Sequence, residues 1–171
     1  MPTKKGQEMK IIFLDFDGVL NNPHTFDLEH GRMMHRTPPG ETPTLNMRNL
    51  IDPDMLRRIL MVIAETGARV VISSTWRKFL MIPPDDKILS DTGLDIALHH
   101  DWRTGEHANG HRGCEIAEWL NNHPETEKYI IIDDDSDMLE EQIPYHVHTN
   151  MQLGFTAHDA KKAVALLGRT K

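Results

Sequence analysis

Lys10-Ile-Ile-Phe-Leu-Asp-Phe-Asp-Gly-Val-Leu20 is the stretch that decides the fold. Its first half is an apolar run of strand formers that stops abruptly at Asp15. An unbroken apolar run, unlike an alternating one, marks a strand covered on both faces, as in a parallel sheet. Arg69-Val-Val-Ile72 repeats the pattern and ends in Ser73-Ser-Thr75. Tyr129-Ile-Ile-Ile132 repeats it again and ends in Asp133-Asp-Asp-Ser-Asp137.

Helical patterns lie between these runs. Asp52-Pro53 supplies an N-cap and a first-turn proline, Leu56, Ile59, Leu60 and Ile63 recur at helical spacing, and Thr66-Gly67 closes the helix. A second helix is predicted over Gly113 to Asn121, with Ile116, Trp119 and Leu120 as its apolar stripe. A third opens at Thr156, with Ala160, Val164 and Leu167 inward and Gly168 beyond its end. Further strands are expected at Tyr145–Thr149 and at Leu94–Leu98; His99 to Gly110 reads as loop. Residues 1–9 read as a flexible arm. Residues 21–51 hold Pro23, Pro38, Pro39 and Pro43 and little periodicity, so they read as a long loop or small insertion.

Strands alternating with helices predict a three-layer, Rossmann-like α/β fold, a parallel sheet with helices on both faces. Ligands of such sheets bind beyond the carboxyl ends of the strands. Here three strands each deliver acids or hydroxyls to that edge. The length of 171 residues fits one domain, 1–171. Nineteen Lys+Arg against 26 Asp+Glu give a net charge of −7, which argues against a broad electrostatic grip on nucleic acid but not against a local one. The single cysteine, Cys114, excludes an internal disulfide framework and suits a reducing compartment. No apolar run is long enough to span a bilayer, and the basic start lacks the apolar stretch of a signal peptide. The expectation is a cytoplasmic protein with no membrane partner.

Asp15, Asp17, Asp133, Asp134 and Asp137 would repel one another at one sheet edge unless a cation or proton joined them. Hard oxygen ligands suit Mg²⁺, and a cation beside a carboxylate lets it approach a phosphate dianion. Asp15 is then placed to attack phosphorus, and Asp17 to give a proton to the leaving oxygen and later take one from water.

At Asp15-Phe-Asp-Gly-Val-Leu20 the chain resembles the first motif of the haloacid dehalogenase (HAD) superfamily. Val70-Val-Ile-Ser73 is similar to the second motif. Arg112 stands where the third-motif Lys or Arg belongs, and Ile130 to Asp137 resembles the fourth. The resemblance implies that Asp15 is a nucleophile forming an aspartyl-phosphate and Asp17 the general acid/base. It implies that Ser73 holds a phosphate oxygen and Arg112 neutralises the phosphate. Most members have Lys at this last position; Arg keeps the charge, cannot be deprotonated and grips phosphate bidentately. Mg²⁺ would be held by Asp15, the Asp17 carbonyl and one acid of the cluster, Asp134 or Asp133. The presence of Asp17 favours phosphoryl transfer over dehalogenation.

Ile72-Ser-Ser-Thr-Trp-Arg77, the segment Arg112 to Leu120, the acidic cluster, Thr149 and Leu153-Gly-Phe-Thr156 are similar to a narrower HAD subgroup found in multi-domain RNA-repair proteins. That resemblance implies removal of a terminal phosphate, in the first instance a 3′-phosphate, from an RNA or DNA end. The alternatives are a 5′-nucleotidase or other small-metabolite phosphatase, and a non-catalytic regulatory module on the same fold. Residues 21–51 lie where the superfamily inserts a cap. About thirty residues make a flap rather than a full cap, and an open site admits polymer ends.

Ser74 and Arg77 follow the second motif closely enough to reach substrate. Arg32, Arg36, Arg48, Lys78 and Arg103 are further candidates to guide a phosphate chain, set against an ordinary mixed-charge surface. Trp76 and Trp102 either stack on a base or pack inside. His99-His100-Asp101 invites comparison with metal phosphohydrolases built on a His-Asp pair, but that architecture is helical, and here the stretch reads as strand then loop. His146 and His148 would share one strand face. A receiver domain built on Ile131-Ile-Asp-Asp-Asp135 is excluded, since 36 residues after Asp135 are too few for it.

Overall fold

A computed structural model describes residues 8–81 and 86–170. The expected arm falls mostly on residues 1–7, outside the described residues. Five strands form one sheet: β1 (Lys10–Leu14), β2 (Arg69–Ile72), β3 (Leu98–Arg103), β4 (Lys128–Asp133) and β5 (His146–His148). Their order is β3-β2-β1-β4-β5, and every pairing is parallel. Five α-helices connect or flank them: α1 (Pro23–Arg36), α2 (Pro53–Thr66), α3 (Lys87–Thr92), α4 (Arg112–Asn122) and α5 (Ala157–Leu167).

The apolar runs are unbroken because both sheet faces are covered. Ile12, Leu14, Val70, Ile72, Ile130 and Ile132 pack with Leu56, Ile59 and Val62 of α2 and Ala163 and Leu167 of α5. The alternate residues, Ile11, Phe13, Val71 and Ile131, pack with Ile116 and Trp119 of α4. Period-two alternation thus sends two separate apolar sets to two helix layers. This is the three-layer α/β fold expected from the sequence.

The caps also match the sequence. Asp52 accepts from the backbone of Asp54 and Met55, Gly67 closes α2 with φ +67°, and Thr156 and Asp159 form a capping box on α5.

Two stretches differ from expectation. Residues 21–51 are not simply loop: they contain α1 and a 3₁₀ turn at Met47–Leu50. Only Thr25 and Glu29 of α1 are buried, so the helix has no apolar stripe to betray it. It is held instead by a polar anchor. The buried Glu29 carboxylate accepts from Arg36 (2.7 Å), the Asn46 backbone (3.1 Å) and Asn49 (2.9 Å). The other difference is at the sheet edge. Leu94 leads into a 3₁₀ turn, Asp95–Ala97, and the strand is Leu98–Arg103, so His99 to Arg103 belongs to β3 and not to a loop. Four of its six side chains are polar or charged, so no apolar run announces this edge strand.

Candidate active site

Three parallel strands end level with one another and place Asp15, Ser73 and Asp133 side by side. The Asp15 N–H extends the ladder to Ile132 O (3.0 Å), and the Ser73 N–H extends it to Leu14 O (3.0 Å). All three residues are buried. Carboxylate oxygens of Asp15, Asp133 and Asp134 lie within 4.8 Å of one another. The sequence left Asp133 and Asp134 as alternatives; both converge on Asp15.

The turn after β1 makes this possible. Gly18 has φ +67°, and a Cβ built on it would stand 2.4 Å from the Asp134 carboxyl carbon. Glycine therefore serves both the left-handed backbone and the close approach of the second acid. Asn21 closes the turn, accepting from the Gly18 N–H (3.0 Å) and donating to Asp17 Oδ1 (2.8 Å). The other Asp17 oxygen accepts from the Trp76 indole N–H (3.1 Å). Trp76 is buried against Phe16 and so packs inside, as the plainer of its two sequence readings has it. Its hydrogen bond to Asp17 is a role the sequence did not reveal. The Asp17 carboxylate lies outside the three-acid group, consistent with a proton-handling side chain whose carbonyl alone was expected near a metal.

Arg112 projects from the first position of α4. Its guanidinium lies 3.3 Å from Asp133, 3.6 Å from Glu115 and 3.8 Å from Asp15. The Arg112 N–H is capped by Asp137 (2.9 Å), so this acid starts the helix rather than joining the three-acid group. Arg77 donates to Ser74 O (2.9 Å), Gly105 O (3.2 Å) and the buried Glu115 carboxylate (2.8 Å). Its guanidinium is thus engaged within the protein, and through Glu115 it steadies Arg112. Among the other basic candidates, Arg36 pairs with Glu29, Lys78 with Glu106, and Arg103 lies over Trp102. Ser74 is buried, with its hydroxyl beside Asp15.

Two histidines strap the acidic loop. His146 Nε2 meets Asp133 O (3.0 Å) and His148 Nε2 meets Asp134 O (2.8 Å). A carbonyl only accepts, so each ring carries its proton on Nε2.

The electrostatics match a site built for a charged ligand. Burial first, and then the neighbouring Asp15 charge, push the Asp133 carboxyl up to about 8. Burial likewise pushes Asp15 up to about 6, against the pull of Arg112. Burial also raises Asp134. Ser73 Oγ, Thr104 Oγ1 and Asp137 Oδ1 are buried polar atoms without a hydrogen-bond partner, and Arg112 Nε and Asp133 Oδ2 have only each other, as an ion pair at 3.3 Å; all lie at this edge. Thr126 Oγ1 is the one such atom elsewhere among the described residues. Unmet polar capacity concentrated at one edge is what a ligand site leaves behind. Crowded, hard carboxylate oxygens with raised proton affinity fit a Mg²⁺ ion. A cleft of about 280 Å³ opens beside Arg112, rimmed by Lys78, His107 and Asp135. A larger cleft of about 670 Å³, between Lys10, Ile63 and Ile96, lies at the other end of the sheet and holds none of these acids.

A doubly covered parallel sheet with this acid, hydroxyl and arginine set at its C-terminal edge defines a HAD domain, a class with phosphatase-type chemistry. The chain belongs to the family described as the HAD domain in Swiss Army Knife RNA repair proteins, which matches residues 11–160. No curated protein and no solved structure matches the chain. No helix among the described residues is long and apolar enough to cross a membrane.

Proposed function

We propose that this protein is a Mg²⁺-dependent phosphomonoester hydrolase that removes a terminal phosphate, in the first instance a 3′-phosphate, from a polynucleotide. The observation that carries the chemistry is the pairing of a buried Asp15 beside Arg112 with an Asp17 whose two oxygens are oriented by Asn21 and Trp76. The RNA-repair family supports the substrate class.

Asp15 Oδ attacks phosphorus, and the ester P–O bond breaks as Asp17 gives its proton to the leaving oxygen. The product is an aspartyl-phosphate on Asp15. Asp17 then takes a proton from water, the hydroxide attacks phosphorus, and the bond to Asp15 breaks to release inorganic phosphate. Arg112 offers positive charge to the oxygens, where charge grows in the transition state. Ser73 donates its unpartnered hydroxyl to a phosphate oxygen. Ser74 orients Asp15, and Arg77 acts through Glu115 rather than on substrate. Asp15, Asp133, Asp134 and the Asp17 carbonyl would hold Mg²⁺, which when bound neutralises the acids and polarises the phosphoryl group.

Residues 21–51 form a small flap within a single domain. They leave directly from the Asn21 clasp on Asp17 and expose Phe26, Leu28, Met34 and Leu45. A flap with one helix leaves room for a polymer end, and its exposed apolar side chains suit unstacked bases.

The test is phosphate release with Mg²⁺ from a 3′-phosphorylated oligonucleotide, its 5′-phosphorylated isomer, the mononucleotides and an aryl phosphate, with Asp15→Asn alongside. The expected result is fastest release from the 3′-phosphorylated oligonucleotide and none with Asp15→Asn. Preference for mononucleotides would replace this reading with a small-metabolite phosphatase. Magnesium binding without turnover of any substrate would make the protein a regulatory HAD module.

A further inference from the structure

His99, His100 and His123 take no part in the proposed chemistry. They bring one ring nitrogen each to within 4.8 Å of one another. We propose that they form a second metal site, a structural one for a divalent transition ion of the zinc class, which clamps the edge strand β3 to the C-terminal end of α4.

Consecutive residues of a regular strand point to opposite faces, so His99 and His100 should not meet. They do, with ring centres 4.1 Å apart. The cause is an irregularity in the strand. Val70 pairs with Leu98 and Ile72 with Arg103, so two steps along β2 correspond to five along β3. Bulges of this kind re-aim side chains and are common beside functional sites. Here the bulge turns adjacent histidines toward the end of α4.

The third ring is held in a ligating tautomer. His123, directly after α4, places Nδ1 2.8 Å from Trp119 O. A carbonyl cannot donate, so Nδ1 carries the proton and the Nε2 lone pair is free. A histidine whose second nitrogen donates to a backbone carbonyl is the usual form of a metal ligand. His99 Nδ1 accepts from the Asp101 N–H (3.1 Å) and also lies 3.3 Å from Asp101 O, so the neutral ring can hold its proton on either nitrogen. A metal on His99 Nε2 selects the tautomer that donates from Nδ1 to the Asp101 carbonyl. Trp119 fixes the group, stacking on His123 at 3.7 Å and donating its indole N–H to Asp101 O (3.1 Å).

An oxygen ligand is at hand as well. Asp101 Oδ2 is 3.5 Å from His123 Nε2. Two ligands on a tetrahedral zinc with bonds of about 2.05 Å stand roughly 3.3 Å apart. Imidazole donors favour zinc-class ions over Mg²⁺, so this site and the acid site select different metals. The two sites stand at opposite ends of one helix. Arg112 begins α4, and His123 follows its last residue, roughly 16 Å away at 1.5 Å per residue.

The test uses the full chain stripped with chelator and held in excess Mg²⁺ to fill the acid site. Zn²⁺ retention is read by elemental analysis, Tm by calorimetry, and ligand field by the visible bands of Co²⁺. Expected are one zinc per chain, a four-coordinate Co²⁺ spectrum and a Tm rise of about 5 to 10 °C at a hundredfold excess over Kd. His100→Ala is exposed enough to leave the apo fold and its Tm intact, yet it should lose the zinc-dependent rise and at least tenfold in affinity. His123→Gln should behave alike. Absence of retained zinc overturns the proposal. So does zinc that both histidine variants keep but Asp134→Asn loses, since the ion would then belong to the acid site.

Discussion

Asp17 is gripped from two sides, and that grip sets how its proton is aimed. Asn21 holds one oxygen and the Trp76 indole the other. Trp76→Phe keeps a buried aromatic ring against Phe16 but removes the donor. General acid catalysis contributes about 10²- to 10⁴-fold, and misorienting the acid forfeits part of that. We expect kcat on an oligonucleotide phosphate to fall roughly 10- to 100-fold, with KM nearly unchanged. An aryl phosphate, whose leaving group needs little protonation, should lose much less. Steady-state kinetics on both substrates check this. Equal losses on the two would mean that Trp76 only packs. This role illustrates what a sequence conceals at the scale of single residues. Asp15, Asp17, Arg112 and the acidic run carry their chemistry in their type and spacing. Trp76, Glu115 and Asp137 matter through partners 59, 38 and 25 residues away, and only folding brings those together.

Elements were legible where burial imposes a period and obscure where it does not. β1, β2 and β4 are covered on both faces, so their apolar runs announce them. α2 carries a cap at each end and a full apolar stripe. α1 has neither an apolar stripe nor an acidic first turn. Its tie to the rest of its segment is Glu29, whose carboxyl the Arg36 guanidinium holds well down, at about 2. Glu29→Ala frees three donors at once: Arg36, the Asn46 N–H and Asn49. Hydrogen bonds to a charged group are worth about 1.5 to 3 kcal/mol each, and the exposed Arg36 end is screened, so the loss is chiefly local opening. Amide exchange over residues 37–50 should quicken roughly tenfold or more, while β1 and β4 stay protected. Mass-spectrometric exchange reads this directly. Unchanged protection of 37–50 would show that the segment is held by something other than Glu29.

At the scale of the whole molecule the acid edge sets the pH response. Asp133 and Asp15 have carboxyls raised to about 8 and about 6. A carboxyl with a raised pKa binds its proton more tightly folded than unfolded. Its contribution is therefore full below the ordinary value near 3.8 and is lost as pH climbs through the raised one. Glu29 runs the other way: its depressed pKa stabilises above the ordinary value of 4.5 and fails as pH falls toward 2. These acids give the metal-free protein a stability that declines from near pH 5 to pH 8, opposed in part below pH 6.5 by His99 and His146, whose burial disfavours the charged ring. Mg²⁺ reverses the decline, because a cation among Asp15, Asp133 and Asp134 supplies the charge the protons supplied, and its affinity rises as they leave. Calorimetric Tm from pH 5 to 8, in chelator and in Mg²⁺, should give a falling curve and a much flatter one. Asp133→Asn removes the most strongly raised acid, so its chelator curve should already be flatter and Mg²⁺ should add little. A chelator curve that is flat in the unsubstituted protein would mean that Arg112 alone balances the acids. The edge would then need no cation to fold at neutral pH, and the magnesium requirement, if activity showed one, would belong to substrate binding alone.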